Sequence, residues 1–314
     1  MTPLEFETRH AGTWAELETA EPRADPARYA RLYRAACEHL AQSEARAYPM
    51  ALIERLRTLT GDAHQTIYRQ SDWGLSRLGR LFALDFPAAV RAHRRAMAIA
   101  AAVFVLPLLA MAIAVHADPG LVLTIYEPEQ VAEFDAMYGE SEAPLGQRDA
   151  QTDVAMFGHY IANNVGIAFR CFAAGLFLGV GSLLFLGYNA FAIGGVAGYL
   201  VWRGHGERFL SFVVTHGAFE LTAIVISGAA GLAIGGSLLA PGRRSRGAAL
   251  AHAASRAMVL VYGAAAMLLV AAAIEAFWSS ARWVPSAVKF GVGGACWVGV
   301  LAYLTWQGRP KASG

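Results

Sequence analysis

Four charged side chains sit inside otherwise apolar stretches of this 314-residue chain: Arg170, Glu220, Glu275 and Lys289. An unpaired charge at the centre of a bilayer costs about 2.5–3.5 kcal/mol on insertion scales, so such residues pair, line a cavity or reach an interface. Two are acidic and two basic, and mutual neutralisation is the first chemistry to expect. An ion pair between Arg170 and Glu220 or Glu275 would fix helix register, and Lys289 is expected to snorkel to the interface. His216 stands four residues before Glu220, on the same helical face, with Gly217 leaving room between them. A histidine and a carboxylate at that spacing suit a metal or general-base pair, but His-Gly-Ala-Phe-Glu supplies neither a third ligand nor the ordered motif of zinc hydrolases. No Gly-x-Ser-x-Gly elbow and no phosphate-binding glycine loop is present. Catalysis, a metal and a cofactor are therefore not expected. Asn163, Asn164 and Asn189 add side-chain amides near the same turns, completing an intramembrane polar cluster with Arg170, His216, Glu220 and Glu275.

The elements that must hold these groups are apolar. AVILMFWYC make up 56% of the chain and charged residues only 16%, against about a quarter charged in an ordinary soluble domain. The charge is also unevenly placed: residues 1–95 hold 12 acidic and 14 basic side chains, residues 116–160 hold 9 and 1, and the remainder holds 3 and 11. A disordered chain, a secreted disulfide scaffold and a nucleic-acid binder are excluded as the main identity. Cys37, Cys171 and Cys296 are far apart and show no disulfide or zinc spacing. Met1 to Ala20 lacks the apolar core of a signal peptide, so insertion is expected from internal segments.

Residues 1–95 read as a soluble helical head. Asp25-Pro26 offers an N-cap followed by proline at the first helical position, and Tyr29, Leu32, Tyr33, Ala36, Cys37 and Leu40 recur at helical spacing. Met50, Ile53, Leu56 and Leu59 form a second such pattern, stopping at Gly61, and Trp14 and Leu17 mark a shorter first helix. The uncharged run Ala96–Val115 is long enough to cross a ~30 Å hydrocarbon core. Arg91, Arg94 and Arg95 precede it and the acidic segment follows, which places 1–95 in the cytoplasm and 116–160 outside by the positive-inside rule. Pro107 should kink this helix.

Further apolar stretches are Asn164–Gly187, Tyr188–Trp202, Phe209–Ala240, Arg256–Phe277 and Ser286–Trp306. Arg243, Arg244 and Arg246 in one loop, with Arg309 and Lys311 at the end, belong on the cytoplasmic side. About six passes with both termini inside fit the charges, Tyr188–Trp202 being a short or broken crossing. A five-pass arrangement with 188–202 re-entrant is the alternative. The six-pass reading puts Arg170, Glu220, Glu275 and Lys289 toward the extracytoplasmic side. The fold class is thus an all-α polytopic membrane protein: a cytosolic head at 1–95, a transmembrane core at 96–306 with an acidic extracytoplasmic segment at 116–160, and a cytosolic tail at 307–314. Eighteen of the 32 glycines fall between Gly158 and Gly247. The small-residue steps Gly175/Gly179, Gly194/Gly198 and Gly231/Gly235 let helix backbones approach closely, within one chain or between two copies of a homo-oligomer.

The ordered series Asn163-Asn164, Phe172 through Gly175 to Gly179 and Gly181, Asn189 with Gly194-Gly195, His216-Gly217 with Glu220-Leu221, Gly231 through Gly235 to Pro241-Gly242, and Ile274-Glu275 with Phe277 resembles the stage II sporulation protein M family of integral membrane proteins. The resemblance covers roughly residues 155–306, and Phe6, Arg9, Trp14 and Leu17 are similar to the opening of the longer, non-sporulating members. It implies a helical membrane protein without known catalysis. The sporulation namesake is a scaffold that recruits the peptidoglycan-degrading proteins D and P to the engulfing septum, and this chain departs from it in its long head and acidic segment. Longer members accompany a chaperone-like AAA ATPase and proteins with von Willebrand A domains, which makes the head a docking site by analogy. The expectation is a non-enzymatic scaffold of the bacterial cell envelope in the inner membrane, in contact with lipid. Protein partners would bind at the head and at the acidic segment. The alternative is a small-solute or ion transporter with a polar site around Arg170, Glu220 and Glu275.

Overall fold

The computed structural model describes residues 1–21, 24–68, 75–139, 150–281 and 283–309, and among them every regular element is helical. In order these are α1 (Pro3–Thr19), α2 (Pro26–Ala45), α3 (Met50–Tyr68), α4 (Leu75–Arg80), α5 (Phe86–Ala92), α6 (Arg94–Ala117), α7 (Pro128–Tyr138), α8 (Ala150–Ala173), α9 (Val180–Trp202), α10 (Gly206–Leu239), α11 (Arg246–Ala273) and α12 (Ser286–Trp306). A π-turn, Leu81–Asp85, joins α4 to α5, a 3-10 turn, Pro119–Thr124, follows α6, and a second π-turn, Ile274–Ser279, extends α11. The chain divides into two compact units, Met1–Arg77 and Leu78–Gly314.

The first unit is a three-helix head with its own core of Phe6, Trp14, Leu17, Tyr29, Ala36, Leu52, Leu56 and Ala63. Thr2 and Glu5 form a capping box at the start of α1, and the Asp25 carboxylate accepts from the Arg28 amide at 2.8 Å, the N-cap expected at Asp25-Pro26. Trp14 is fully buried, and its indole N–H donates to Nδ1 of buried His39 at 3.1 Å. α3 runs through Gly61 to Tyr68 instead of stopping there, because that glycine faces open space and nothing obliges the chain to turn. Residues 78–95, assigned to the head from charge alone, pack in the second unit. Phe86 lies against Gly263 of α11, where no side chain would fit, and Arg91 donates to the Leu304 carbonyl at 3.0 Å.

In the second unit α6, α9, α10, α12 and α11 with its π-turn are each long and apolar enough to cross a membrane. α6 and α9 run parallel: Gly187 meets Val103, Gly194 meets the Leu108 carbonyl and Gly198 meets the Ala112 carbonyl. Between these parallel neighbours α8 runs the opposite way through the bundle. It starts beside the end of α11, where Phe157 lies tilted against Phe277 with ring centroids 5.9 Å apart, and Ala168 then joins the core around Ala223, Ile226, Leu260 and Ala264. α8 has 24 residues but carries His159, Asn163, Asn164 and Arg170, so it is the least apolar of the six. Six helices therefore alternate in direction. One end of the bundle carries Arg91, Arg94, Arg95, Arg243, Arg244 and Arg309 (the arginine end). The other is closed by the 3-10 turn and α7 (the acidic end).

The boundary expected at Gly187–Tyr188 is displaced. The break lies at Ala174–Gly179, where a 3-10 turn is followed by Leu178 and Gly179 at φ of 56° and 84°, and 188–202 is the second half of an unbroken 23-residue crossing. Asn189 does not end a helix, because its Nδ2 donates to the Phe185 carbonyl one turn back at 2.7 Å. α10 is likewise one unbroken helix of 34 residues.

The glycine seams lie within the chain. A side chain on Gly175 would overlap the backbone of Gly231, one on Gly231 would overlap Ser182 and the carbonyls of Cys171 and Phe172, and one on Gly235 would overlap Gly179. Gly231→Ala should therefore destabilise the detergent-solubilised protein by about 1–3 kcal/mol, as overpacking does. Gly236→Ala, with nothing near its Cβ position, should leave thermal unfolding unchanged, and equal effects of the two would contradict the seam.

In the head, burial lowers the His39 pKa below the usual 6.5, and neighbouring His10 opposes its charge further. A depressed histidine leaves stability complete above the unfolded value and erodes it as pH falls below 6.5, because the unfolded chain binds the proton first. Protonation also removes the acceptor that Trp14 uses. Hydrogen exchange in residues 1–68 of the full-length protein, corrected for intrinsic rates, should quicken from pH 7.5 to pH 5.5, roughly the window such a shift spans. His39→Gln should flatten the change.

Candidate functional site

α10 and the π-turn after α11 bring together three of the residues singled out by their chemistry. One ligand atom each of His216, Glu220 and Glu275 lies within 4.8 Å of the others. His216 and Glu220 are one helical turn apart and share a face. Glu275 is the third group that the local His-Gly-Ala-Phe-Glu stretch lacked, delivered from sequence-distant α11. π-Turns appear mostly as single turns and are frequent at functional sites, where the extra residue re-aims the side chains around it. Here it places both Glu275 and Ser279 on the α10 side.

The surroundings are buried and short of donors. His216 and Glu275 are 5% and 9% exposed, and among the described residues Glu220 Oε2 and Glu275 Oε2 are buried with no hydrogen-bond partner. Two carboxylates no farther apart than 4.8 Å repel by roughly 3–4 kcal/mol at an effective dielectric of about 20, before any cost of desolvation. His216 Nδ1 is in hydrogen-bond contact with Ser279 Oγ at 3.0 Å, which holds the ring in place. Lys289, 7% exposed, donates from Nζ to the Ser279 carbonyl at 2.7 Å. It is thus buried rather than snorkelling, and it makes no ion pair within 4.0 Å with either glutamate among the described residues. Trp278 donates to Thr215 Oγ1 at 3.3 Å, tying α11 to α10 beside the centre.

The acidic end closes over this group. Tyr138 of α7 packs edge-on against Phe209 and Phe212, and Phe212 against His216. Burial, then the nearby Glu275 carboxylate, push the Tyr138 phenol well above the usual 10.0. Asp135 accepts from Tyr199 at 2.8 Å and from Arg203 at 2.9 Å, and Arg208 donates to the Tyr138 and Gly139 carbonyls. The acidic segment is an ordered cap through Gly139, with Leu121, Val122, Ile125, Tyr126 and Phe134 in its core. Glu140, Glu142, Arg148 and Asp149 lie outside the described residues.

Arg170 is not part of the centre. α8 begins at Ala150, not Asn164, so Arg170 falls near the helix's arginine end, exposed, with Nε donating to the Gly166 carbonyl at 3.2 Å. The expected pairing with Glu220 or Glu275 is absent among the described residues. Asn164 is buried on α8 and accepts from Asn163 at 2.9 Å, while Asn189 is satisfied within α9. No hydrogen bond joins these three amides to the histidine and glutamates among the described residues. Ser279 and the buried role of Lys289 were missed. The one available signal was the four-residue step from Glu275 to Ser279, which places both on one helical face.

A family model described as stage II sporulation protein M matches residues 96–280, a span that begins earlier than the resemblance read from the motifs and contains His216, Glu220, Glu275 and Ser279. A second model, described as a domain of unknown function (DUF8413), matches residues 4–69 in the head. No curated protein and no solved structure matches the chain. With more than half of its 314 residues under the first model, and with apolar helices packed through glycine in that region, the chain belongs to the stage II sporulation protein M family of multi-pass membrane proteins.

Proposed function

We propose that the protein is a non-enzymatic membrane scaffold of the bacterial cell envelope, seated in the inner membrane with both termini in the cytoplasm. The observation that carries this is the modular build. A head with its own aromatic core is joined to a bundle whose seams are filled by backbone-to-backbone contact, leaving the head's polar faces and the acidic cap to meet partners. The arginines gathered at one end of the bundle support the orientation. Arg203 and Arg208 at the other end are held by α7. A cytosolic AAA ATPase system is the partner class suggested for the head, and an envelope protein for the cap. Because residues 78–95 pack with the bundle, deletion of residues 1–77 is the matched test. It should abolish recovery of cytosolic partners from solubilised membranes while thermal unfolding of the remainder stays in place. Unchanged recovery would count against the scaffold.

The second reading, cation transport, draws on Glu220 and Glu275, since buried carboxylates in membrane helices commonly mark ion pathways. The scaffold reading expects cation flux into reconstituted liposomes no higher than in protein-free ones. Flux that is lost in Glu220→Gln would favour transport instead.

A further inference from the structure

We infer that His216, Glu220 and Glu275 bind one divalent transition-metal ion of the zinc class, which staples α10 to the π-turn of α11. Three observations converge. The donor atoms, one imidazole nitrogen and two carboxylate oxygens, already lie within 4.8 Å of one another. Ligands about 2.0–2.2 Å from a metal stand about 3.4 Å apart when tetrahedral, so small side-chain rotations close the site. Among the described residues Glu220 Oε2 and Glu275 Oε2 have no donor, although Glu275 is nine-tenths buried, and a cation is the partner that satisfies both at once. Two carboxylates and one divalent ion also neutralise each other within the ligand set, which lowers the cost of burying it.

The donor set sorts among divalent ions. Imidazole with carboxylate suits zinc, iron and manganese, whereas calcium and magnesium prefer oxygen alone. The contact between Ser279 and His216 Nδ1 supports the choice. A ligating imidazole commonly donates its other N–H to a nearby acceptor, which fixes the tautomer and presents Nε2 to the metal. Lys289 holds the Ser279 carbonyl and so positions this support. The assignment goes beyond the scaffold reading and survives its failure, because it concerns the bundle and not the partners.

The test is zinc uptake by full-length, tag-free protein in detergent, stripped with chelator, reloaded with zinc chloride and desalted. Elemental analysis should find about one equivalent in the unsubstituted chain, with Glu275→Gln and His216→Gln each weakening binding by at least about tenfold and Ser279→Ala by about tenfold. Zinc should also raise the unfolding temperature of the unsubstituted protein and not that of Glu275→Gln. Uptake by the unsubstituted chain equal to that of both variants would overturn the proposal. If the variants do not fold, the unsubstituted chain decides alone: failure to take up zinc, or uptake without any rise in unfolding temperature, would overturn it as well.

Discussion

Two glutamates from different helices bring carboxylate oxygens within 4.8 Å of each other inside an apolar bundle, and among the described residues no donor meets Glu220 Oε2 or Glu275 Oε2. Such an arrangement is costly in a membrane, where water is not at hand to share the charge. It persists only if something in the site balances it and the surrounding helices are held firmly enough to keep the groups together. The bundle meets the second requirement by geometry. α10 is the central element: it packs against α6, α8, α9, α11 and α12, and its glycines bring neighbouring backbones into direct contact. Without a hydrophobic force between helices in lipid, close van der Waals packing of this kind is what holds them.

The first requirement links the site to the rest of the molecule. Glu275 and Ser279 reach α10 because α11 widens into a π-turn at its acidic end. Ser279 in turn is held by Lys289 of α12, and Thr215 of α10 accepts from Trp278. Three chain segments, α10, the π-turn of α11 and α12, therefore converge on one buried point. The cap adds a lid fixed by Asp135, Tyr199, Arg203 and Arg208, so the centre is sealed from the acidic side by Tyr138 and its aromatic neighbours.

Much of the fold was legible in residue patterns. The N-cap at Asp25-Pro26, the helical spacing of Tyr29, Leu32 and Ala36, and the apolar run after Arg95 correspond to α2 and α6. The alternation of arginine and acid along the chain implied about six crossings; among the described residues five helices are long and apolar enough to cross, and the more polar α8 runs antiparallel to α6 and α9 between them. The misplaced ends of α8 and α9 share one cause. Polar residues at Asn163, Asn164 and Asn189 were read as helix ends, whereas asparagine in a membrane helix can satisfy itself on its own helix or a neighbouring side chain, as Asn189 and Asn163 do. That displaced the start of α8 from Ala150 to Asn164 and carried Arg170 to the wrong end of the bundle. His216 and Glu220 were visible as a pair because they lie one turn apart. Glu275 was visible only as a buried charge, since nothing local in a sequence encodes which distant helix a π-turn will face.

The balance of charge at the centre is best read directly, from an anomalous difference map at the zinc edge for crystals of the zinc-loaded protein. The account predicts a single peak about 2.0–2.2 Å from one nitrogen of His216 and one oxygen each of Glu220 and Glu275. A map without that peak, with the two carboxyl groups hydrogen-bonded to each other through a shared proton, would contradict it.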